Sequence, residues 1–207
     1  MAKQLMFDDE GRRKILIGLQ KLAQTVKVTL GPSGRNVILD KKVGAPEVTS
    51  DGVSISKEVE LEDPFENVGA RLANSVADKT NDEVGDGATT AIVLAEAIYT
   101  EGLKNITAGA NPAHLQRGIE AAVVTAIAEI KKGSRPIVGK ADYKQVAFIA
   151  SHYDEDVASM IADGMQKVGK EGVITVEESK GVETTIDFVE GMQFDKGYLS
   201  PHFVTSS

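Results

Sequence analysis

Apolar side chains recur at helical spacing through most of the first 133 residues, and this period limits the fold more than any other feature. In the first segment the apolar positions are spaced by four, three and four residues, which places them on one face of a helix. They are Ile15, Leu19, Leu22 and Val26. Segments with the same period cover about 65–83, 88–106 and 112–133, whereas 36–40 and 47–49 favour short strands. The sequence predicts a mainly α multidomain chain with small β elements.

The composition changes at residues 133–136, Gly-Ser-Arg-Pro, which predicts a hinge or a domain boundary there. Beyond it the pattern favours two shorter helices over about 140–150 and 154–168, followed by β runs at 172–176 and 184–189. The sequence then stops without a cap or a finished element. This favours a truncated chain whose strand partners lie elsewhere.

Charge and cysteine content exclude several classes of function. The chain has 23 basic and 31 acidic residues and a net charge of −8, whereas a nucleic-acid surface needs clustered Lys and Arg. It contains no cysteine, which excludes disulfides and thiolate metal sites. The N-terminal segment is charged, and no apolar stretch approaches the roughly 20 residues of a membrane span. We therefore expect a soluble, cytoplasmic protein that binds neither nucleic acid nor a membrane.

The segment 85–90, Gly-Asp-Gly-Ala-Thr-Thr, stands directly before an apolar helical run. Glycine allows close approach to an anion, and a helix N-terminus offers unpaired N–H groups at the positive end of its dipole. Thr89 and Thr90 add hydroxyls, and Asp86 adds a hard oxygen ligand suited to Mg²⁺. The segment therefore suggests a phosphate site. The alternative is that Asp86 only caps the helix and the glycines only turn the chain.

Two further glycine loops precede this one. Residues 29–34 read Thr-Leu-Gly-Pro-Ser-Gly and stop the first helix, and residues 50–52 read Ser-Asp-Gly after the second strand. The first could contact phosphate, and Asp51 could place a second carboxylate near a nucleotide. Each could equally be an ordinary turn, because glycine, proline, serine and aspartate dominate turns for local reasons.

Five segments taken together, in order and across nearly the whole chain, resemble the group I chaperonin large subunit (GroEL type). They are 28–37 (VTLGPSGRNV), 50–53 (SDGV), 85–90 (GDGATT), 168–177 (VGKEGVITVE) and 190–201 (EGMQFDKGYLSP).

The resemblance implies three domains. Residues 1–133 would be the N-terminal part of an ATP-binding equatorial domain, 134–190 the N-terminal part of an intermediate hinge domain, and 191–207 the start of an apical domain that binds substrate proteins. In the family the chain returns through the first two domains, and that return is absent here, in line with the truncation inferred above.

The resemblance also implies an activity. The protein would be an ATP-hydrolysing chaperone subunit that binds non-native proteins and promotes their folding inside a ring-shaped chamber. Its cofactors would be ATP, Mg²⁺ and K⁺. Its partners would be copies of itself in two stacked heptameric rings, a co-chaperonin lid of the GroES type, and unfolded or misfolded client proteins. Because the family's main catalytic carboxylate lies in the return segment, this chain alone is expected to hydrolyse ATP poorly.

The same resemblance assigns roles to residues. Asp86 matches the Mg²⁺ ligand, and Asp51 matches a catalytic carboxylate near the γ-phosphate that could orient the attacking water. Tyr198 and Phe203 match apical positions that contact unfolded chains. The implied nucleotide contacts are Thr29, Leu30, Gly31, Pro32, Ser50, Asp51, Gly52, Asp86, Gly87, Ala88, Thr89 and Thr90, with Thr29, Ser50 and Thr89 as candidate neighbours of the potassium ion.

Four positions depart from the family pattern. Ser50 stands where Lys is common, which removes a cation unless only its carbonyl is used, and Ala88 replaces a common Thr. His202 stands where an aromatic residue is usual, and Lys196 where Arg is frequent, which would weaken a bidentate contact.

Two other functions compete with the chaperonin hypothesis. The chain could be a structural or interaction fragment without a working nucleotide site, as Ser50, Ala88 and the truncation would allow. It could also be a small-molecule kinase that uses the same glycine loops, but the sequence offers no candidate base or acceptor pocket.

Overall fold

The computed structural model describes residues 4–41, 44–169, 171–177, 181, 184–189, 191, 197, 200 and 202. The chain divides into two compact units, Met1–Gly133 and Ser134–Ser207. Within the described ranges, no helix is long and apolar enough to cross a membrane.

The first unit is helical with one small hairpin, which confirms the predicted mainly α class. Its elements in chain order are α1 (Asp8–Lys27), β1 (Val37–Leu39), β2 (Glu47–Thr49), α2 (Gly52–Glu58), α3 (Pro64–Val84), α4 (Ala88–Thr107) and α5 (Pro112–Gly133). The two strands are antiparallel, with Ile38 opposite Val48. The second unit contains α6 (Lys140–Ala150) and α7 (Glu155–Val168).

Helices α1 and α3 cross at a very short distance because glycine stands at the crossing on both of them. An ideal Cβ placed on Gly18 would lie 1.8 Å from the carbonyl oxygen of Glu66, and one on Gly69 would lie 2.2 Å from that of Ile15. Neither position can hold a side chain at this separation. The close crossing brings together the buried core of the unit, whose largest fully buried side chains are Leu22, Ile55, Ile92 and Val26.

A charged cluster bridges α1 and α3 at the edge of this crossing. Lys14 Nζ donates to Asp63 Oδ2 at 2.6 Å and to Glu66 Oε1 at 2.8 Å, and Lys21 Nζ donates to Glu66 Oε2 at 2.6 Å. Glu66 is buried, with its side chain 10% exposed. The hydrogen bonds that Lys14 donates lower the pKa of Asp63 and of Glu66. The same hydrogen bonds raise the pKa of Lys14. The cluster therefore favours the charged forms of Lys14, Asp63 and Glu66.

Helix α5 buries none of its residues. Its apolar side chains remain accessible, with Val124 69% and Ile130 70% exposed. The predicted helix is confirmed, but its apolar face is not part of the core of this unit.

The β runs predicted at 172–176 and 184–189 are wrong. All of these residues are described, and none lies in a strand. Val173 and Val176 are 82% and 88% exposed. A strand is defined by its ladder with a neighbour, and β-branched composition indicates an extended backbone without supplying that neighbour.

Candidate functional site

The loop between α3 and α4 holds two glycines in the left-handed region. Gly85 ends α3 with φ of 72°, its N–H bonded to the carbonyl oxygen of Asn81 at 2.8 Å, and Gly87 precedes α4 with φ of 86°. Residues with a Cβ rarely adopt these values. The loop therefore joins α3 to α4 within three residues, and Asp86, between the glycines, lies just before the start of α4.

Asp86 does not cap α4, so the cap interpretation of this residue is wrong. Its Oδ1 accepts from the N–H of Gly87, the next residue, at 2.6 Å, whereas a capping side chain would reach a backbone N–H inside the helix. Within the described part of the chain, its Oδ2 accepts no hydrogen bond. Asp86 is exposed, so one carboxylate oxygen faces solvent at the mouth of the helix.

The first turn of α4 lacks a side-chain cap, since its N-cap residue is Gly87. The first intrahelical bond runs from the N–H of Ala91 to the carbonyl of Gly87, so the preceding N–H groups have no helical acceptor. Among the described residues, the hydroxyls of Thr89 and Thr90 make no hydrogen bond. Donors thus converge at the positive end of a helix dipole, an arrangement suited to an anion.

Asp51 caps α2, a helix that the sequence analysis did not predict. Its Oδ2 accepts from the N–H of Ser54 at 2.8 Å and from the Ser54 hydroxyl at 2.7 Å, and its Oδ1 accepts from the N–H of Val53 at 3.4 Å. The backbone N–H of Asp51 donates to Thr49 Oγ1 at 3.1 Å. The interpretation of 50–52 as a plain turn is therefore wrong, since Asp51 begins a helix.

The beginnings of α2 and α4 touch through Gly52 and Thr89. An ideal Cβ on Gly52 would lie 2.2 Å from Thr89 Oγ1 and 3.2 Å from the backbone nitrogen of Thr89. Gly52 is buried and Thr89 partly buried. The contact brings Asp51, which precedes Gly52 in the chain, to the same edge as the first turn of α4. Two loops separated by more than thirty residues in sequence thus lie side by side.

The turn that contains Thr29, Leu30, Gly31 and Pro32 is closed by bonds within itself. The N–H of Gly34 donates to the carbonyl oxygen of Gly31 at 2.9 Å. The hydroxyl of Thr29 donates to the carbonyl oxygen of Val26 at 2.8 Å. Residues 30–32 are exposed. An ion pair between Lys27 and Glu96 joins the end of α1 to α4. Glu96 lies about 12 Å along the axis of α4 from Ala88, since a helix rises 1.5 Å per residue. This turn is therefore anchored beside the same helix.

The carboxylates at this edge set the charge that a ligand would meet. Asp51 and Asp86 both carry negative charge there, so a bare triphosphate would be repelled, whereas a magnesium complex would be attracted. In the described ranges, no group of three or more His, Cys, Asp or Glu side chains could enclose a metal by itself. Mg²⁺ is usually held by one or two carboxylates together with phosphates and water. The exposed oxygen of Asp86 fits that pattern.

Tyr198 and Phe203 lie outside the described residues. Ser50 is partly buried and Ala88 buried. Ser54, in contrast, was missed by the sequence analysis, although Asp51 belongs to the residue types that commonly precede the first turn of a helix.

Comparisons with known proteins agree with this architecture. The family model described as the TCP-1/cpn60 chaperonin family matches residues 22–206. A crystal structure of a group III chaperonin in the open state is similar with a TM-score of 0.64 and 30% identity, over 79% of this chain and 34% of that one. A second similar structure is that of the chaperonin gp146 from the bacteriophage EL 2 (Pseudomonas aeruginosa), crystallised in the presence of ATP-BeFx. Its TM-score is 0.69 and its sequence identity 27%, over 84% of this chain and 31% of that one.

The fold matches part of a chaperonin, with helices α1 to α4 packed on one another and the candidate loops at the beginnings of α2 and α4. The chain belongs to the TCP-1/cpn60 chaperonin family. It spans about a third of the length of the two chaperonin chains described above.

Proposed function

We propose that this protein is a subunit of an ATP-dependent chaperonin and that the edge formed by the starts of α2 and α4 binds Mg-ATP. The contact between Gly52 and Thr89 carries the proposal, because it joins a phosphate-type helix start to a second carboxylate. The phage chaperonin similar to this chain was crystallised with ATP-BeFx, which supports a nucleotide as the ligand.

Each loop has a distinct task in this proposal. The N–H groups at the start of α4 and the hydroxyls of Thr89 and Thr90 bind phosphate oxygens. Asp86 presents its exposed oxygen to Mg²⁺, which when bound neutralises phosphate charge. Asp51 accepts a hydrogen bond from the water that attacks the γ-phosphorus and so acts as the catalytic carboxylate. The turn from Thr29 to Pro32 closes the nucleotide side of the site, and Ser50, Gly52, Gly87 and Ala88 contribute backbone contacts.

The wider features of the proposal follow the group I resemblance. Residues 1–133 form part of an equatorial ATP-binding domain, 134–190 part of a hinge domain, and 191–207 the start of an apical domain in which Tyr198 and Phe203 contact unfolded proteins. Subunits assemble in the cytoplasm into two stacked heptameric rings closed by a lid of the GroES type, with K⁺ beside the phosphates. ATP hydrolysis then times the release of a client protein. The two structural neighbours, a group III and a phage chaperonin, lend no support to the lid or to group I in particular.

The test is nucleotide binding to the complete protein and to its Asp86→Ala variant. Calorimetric titration with ATP and Mg²⁺ should give a dissociation constant roughly tenfold or more higher for the variant, as for loss of a metal-site interaction. Asp82→Ala is the matched control: it removes an exposed carboxylate from the end of α3 and so the same charge.

Equal affinity of the wild-type protein and Asp86→Ala would remove the magnesium site from the proposal. Absence of ATP binding by the wild-type protein would favour the structural or interaction alternative. Refolding of a denatured client enzyme, with and without ATP, would test the chaperone activity separately from binding.

A further inference from the structure

The hydroxyl of Ser54 donates a hydrogen bond to the Asp51 carboxylate from within the helix that Asp51 caps. Both the N–H and the Oγ of Ser54 reach Asp51 Oδ2, at 2.8 Å and 2.7 Å. The N–H bond is a normal feature of a capped helix and would form with any residue at position 54. The hydroxyl bond requires serine or threonine there.

The two oxygens of Asp51 are consequently unlike. Oδ2 accepts two short hydrogen bonds from Ser54, whereas the bond from the N–H of Val53 to Oδ1 is long, at 3.4 Å. Hydrogen bonds to an ionised group are stronger and shorter than neutral ones, so Oδ2 fixes the rotation of the carboxyl plane. Asp51 itself is exposed. Fixing one oxygen leaves the other in a defined direction at the edge shared with α4.

We propose that Ser54 is a positioning residue for ATP hydrolysis: its hydroxyl orients the Asp51 carboxylate toward the attacking water. This inference rests on the role given to Asp51 under the proposed function. In this proposal Ser54 acts through Asp51 alone and makes no contact with the nucleotide. Its effect should therefore fall on the rate of the chemical step and leave nucleotide affinity unchanged.

The decisive comparison is between Ser54→Thr and Ser54→Val in the complete protein. Threonine and valine have nearly the same shape and differ in the hydroxyl, so any difference between them reports the bond to Asp51. We expect kcat for ATP hydrolysis to be about tenfold lower for the valine variant, the effect of one hydrogen bond to a charged group. KM should agree within about twofold, because uniform binding is unaffected. Threonine should retain the wild-type kcat.

Two control variants test the role of Ser54 separately from the proposed catalytic role of Asp51. Ser75→Ala removes an exposed serine hydroxyl that donates to a main-chain carbonyl of α3, and it should leave kcat unchanged. Asp51→Asn tests the carboxylate itself. If Asp51→Asn abolishes hydrolysis while the threonine and valine variants have equal kcat, Ser54 has no positioning role and the proposed function stands.

If Asp51→Asn retains the wild-type kcat, Asp51 is not the catalytic carboxylate, and the proposed positioning role of Ser54 is wrong as well. Should valine prevent folding, as judged by the melting temperature, Ser54→Ala replaces it in the comparison with threonine. A wild-type kcat in that alanine variant would overturn the proposal.

Discussion

Gly52 lies against Thr89 so closely that a single added methyl group would overlap the threonine hydroxyl, at 2.2 Å. This relationship joins the helix that Asp51 caps to the helix that Asp86 precedes. It explains why a glycine stands at the first position of α2, where other residues would extend the helix equally well. The contact also makes a direct prediction about nucleotide binding.

Gly52→Ala should weaken nucleotide binding. The new Cβ must displace Thr89 or the start of α2, and overpacking of this kind costs about 1–3 kcal/mol. We expect the dissociation constant for Mg-ATP to rise roughly tenfold as the two loops separate. Isothermal calorimetry on the complete protein measures it.

Gly118→Ala is the control for that measurement. Gly118 lies in α5 with nothing near its added Cβ, so alanine there should leave affinity unchanged and stabilise the helix by up to about 1 kcal/mol. Equal affinity in both variants would show that the Gly52 contact does not shape the site.

Gly18→Ala should unfold or strongly destabilise the first unit. The added Cβ would lie 1.8 Å from the carbonyl oxygen of Glu66, and main chain cannot yield as a flexible side chain does. The α1–α3 crossing would have to widen, at a cost of about 3 kcal/mol or more. The midpoint of urea denaturation should fall accordingly.

Gly102→Ala provides the comparison for Gly18→Ala. Its Cβ would meet Leu115 Cδ2 at 3.6 Å, an ordinary contact, and alanine favours the interior of α4. A wild-type midpoint for Gly18→Ala would mean that the two helices are not as close as the structure shows.

Nucleotide binding should require a divalent cation. Asp51 and Asp86 both place negative charge at the edge where the phosphates would bind, so ATP without Mg²⁺ meets repulsion. We expect excess chelator to raise the dissociation constant of ATP by roughly tenfold or more in the wild-type protein. In Asp86→Ala the chelator should have a much smaller effect, and an equally large effect there would place the metal on other ligands.

The Lys14 cluster should make stability depend on pH at both extremes. The pKa values of Asp63 and Glu66 are lowered in the folded protein, chiefly by hydrogen bonds from Lys14. Their contribution is therefore present above the ordinary values of 3.8 and 4.5 and is lost as the pH falls through the lower folded values. The pKa of Lys14 is raised from 10.5, so its contribution is present below that value and is lost as the pH rises through the folded value.

Urea denaturation between pH 2 and pH 6 checks the acid side. The free energy of unfolding of the wild-type protein should fall below pH 4.5 more steeply than that of Glu66→Gln, which has no charge to lose at that position. Parallel curves for the two proteins would show that Glu66 does not contribute to the acid dependence.

Local sequence signals were sufficient for every helix except α2 and for the loop at 85–87. The spacing of Leu19, Leu22 and Val26 predicted α1, and the apolar run after Thr90 predicted α4, because helical period is a property of consecutive residues. The two glycines at 85 and 87 indicated a loop before α4, and the structure holds both of them at positive φ. The resemblance to chaperonins, carried by ordered motifs, is confirmed at the level of the family.

The sequence was less informative where the outcome depended on a distant partner. Asp51 was interpreted as a turn residue or a second carboxylate, and only its bonds to Ser54 and Val53 reveal a cap. The runs around Val173 and Ile186 have strand composition and yet lie in no strand. Composition indicates that a segment can adopt an extended backbone. A strand also needs a second segment close enough to form the hydrogen-bonded ladder.

By itself, the sequence determined the helical class, the glycine-marked loops and the family. The tertiary structure decided which of these loops lie next to each other. Gly52 and Thr89 are far apart in the chain, and nothing in their local sequences indicates that a missing side chain on one makes room for the other. Contact between them depends on how α1 to α4 pack, since the short α1–α3 crossing and the buried side chains between the helices fix where each helix begins.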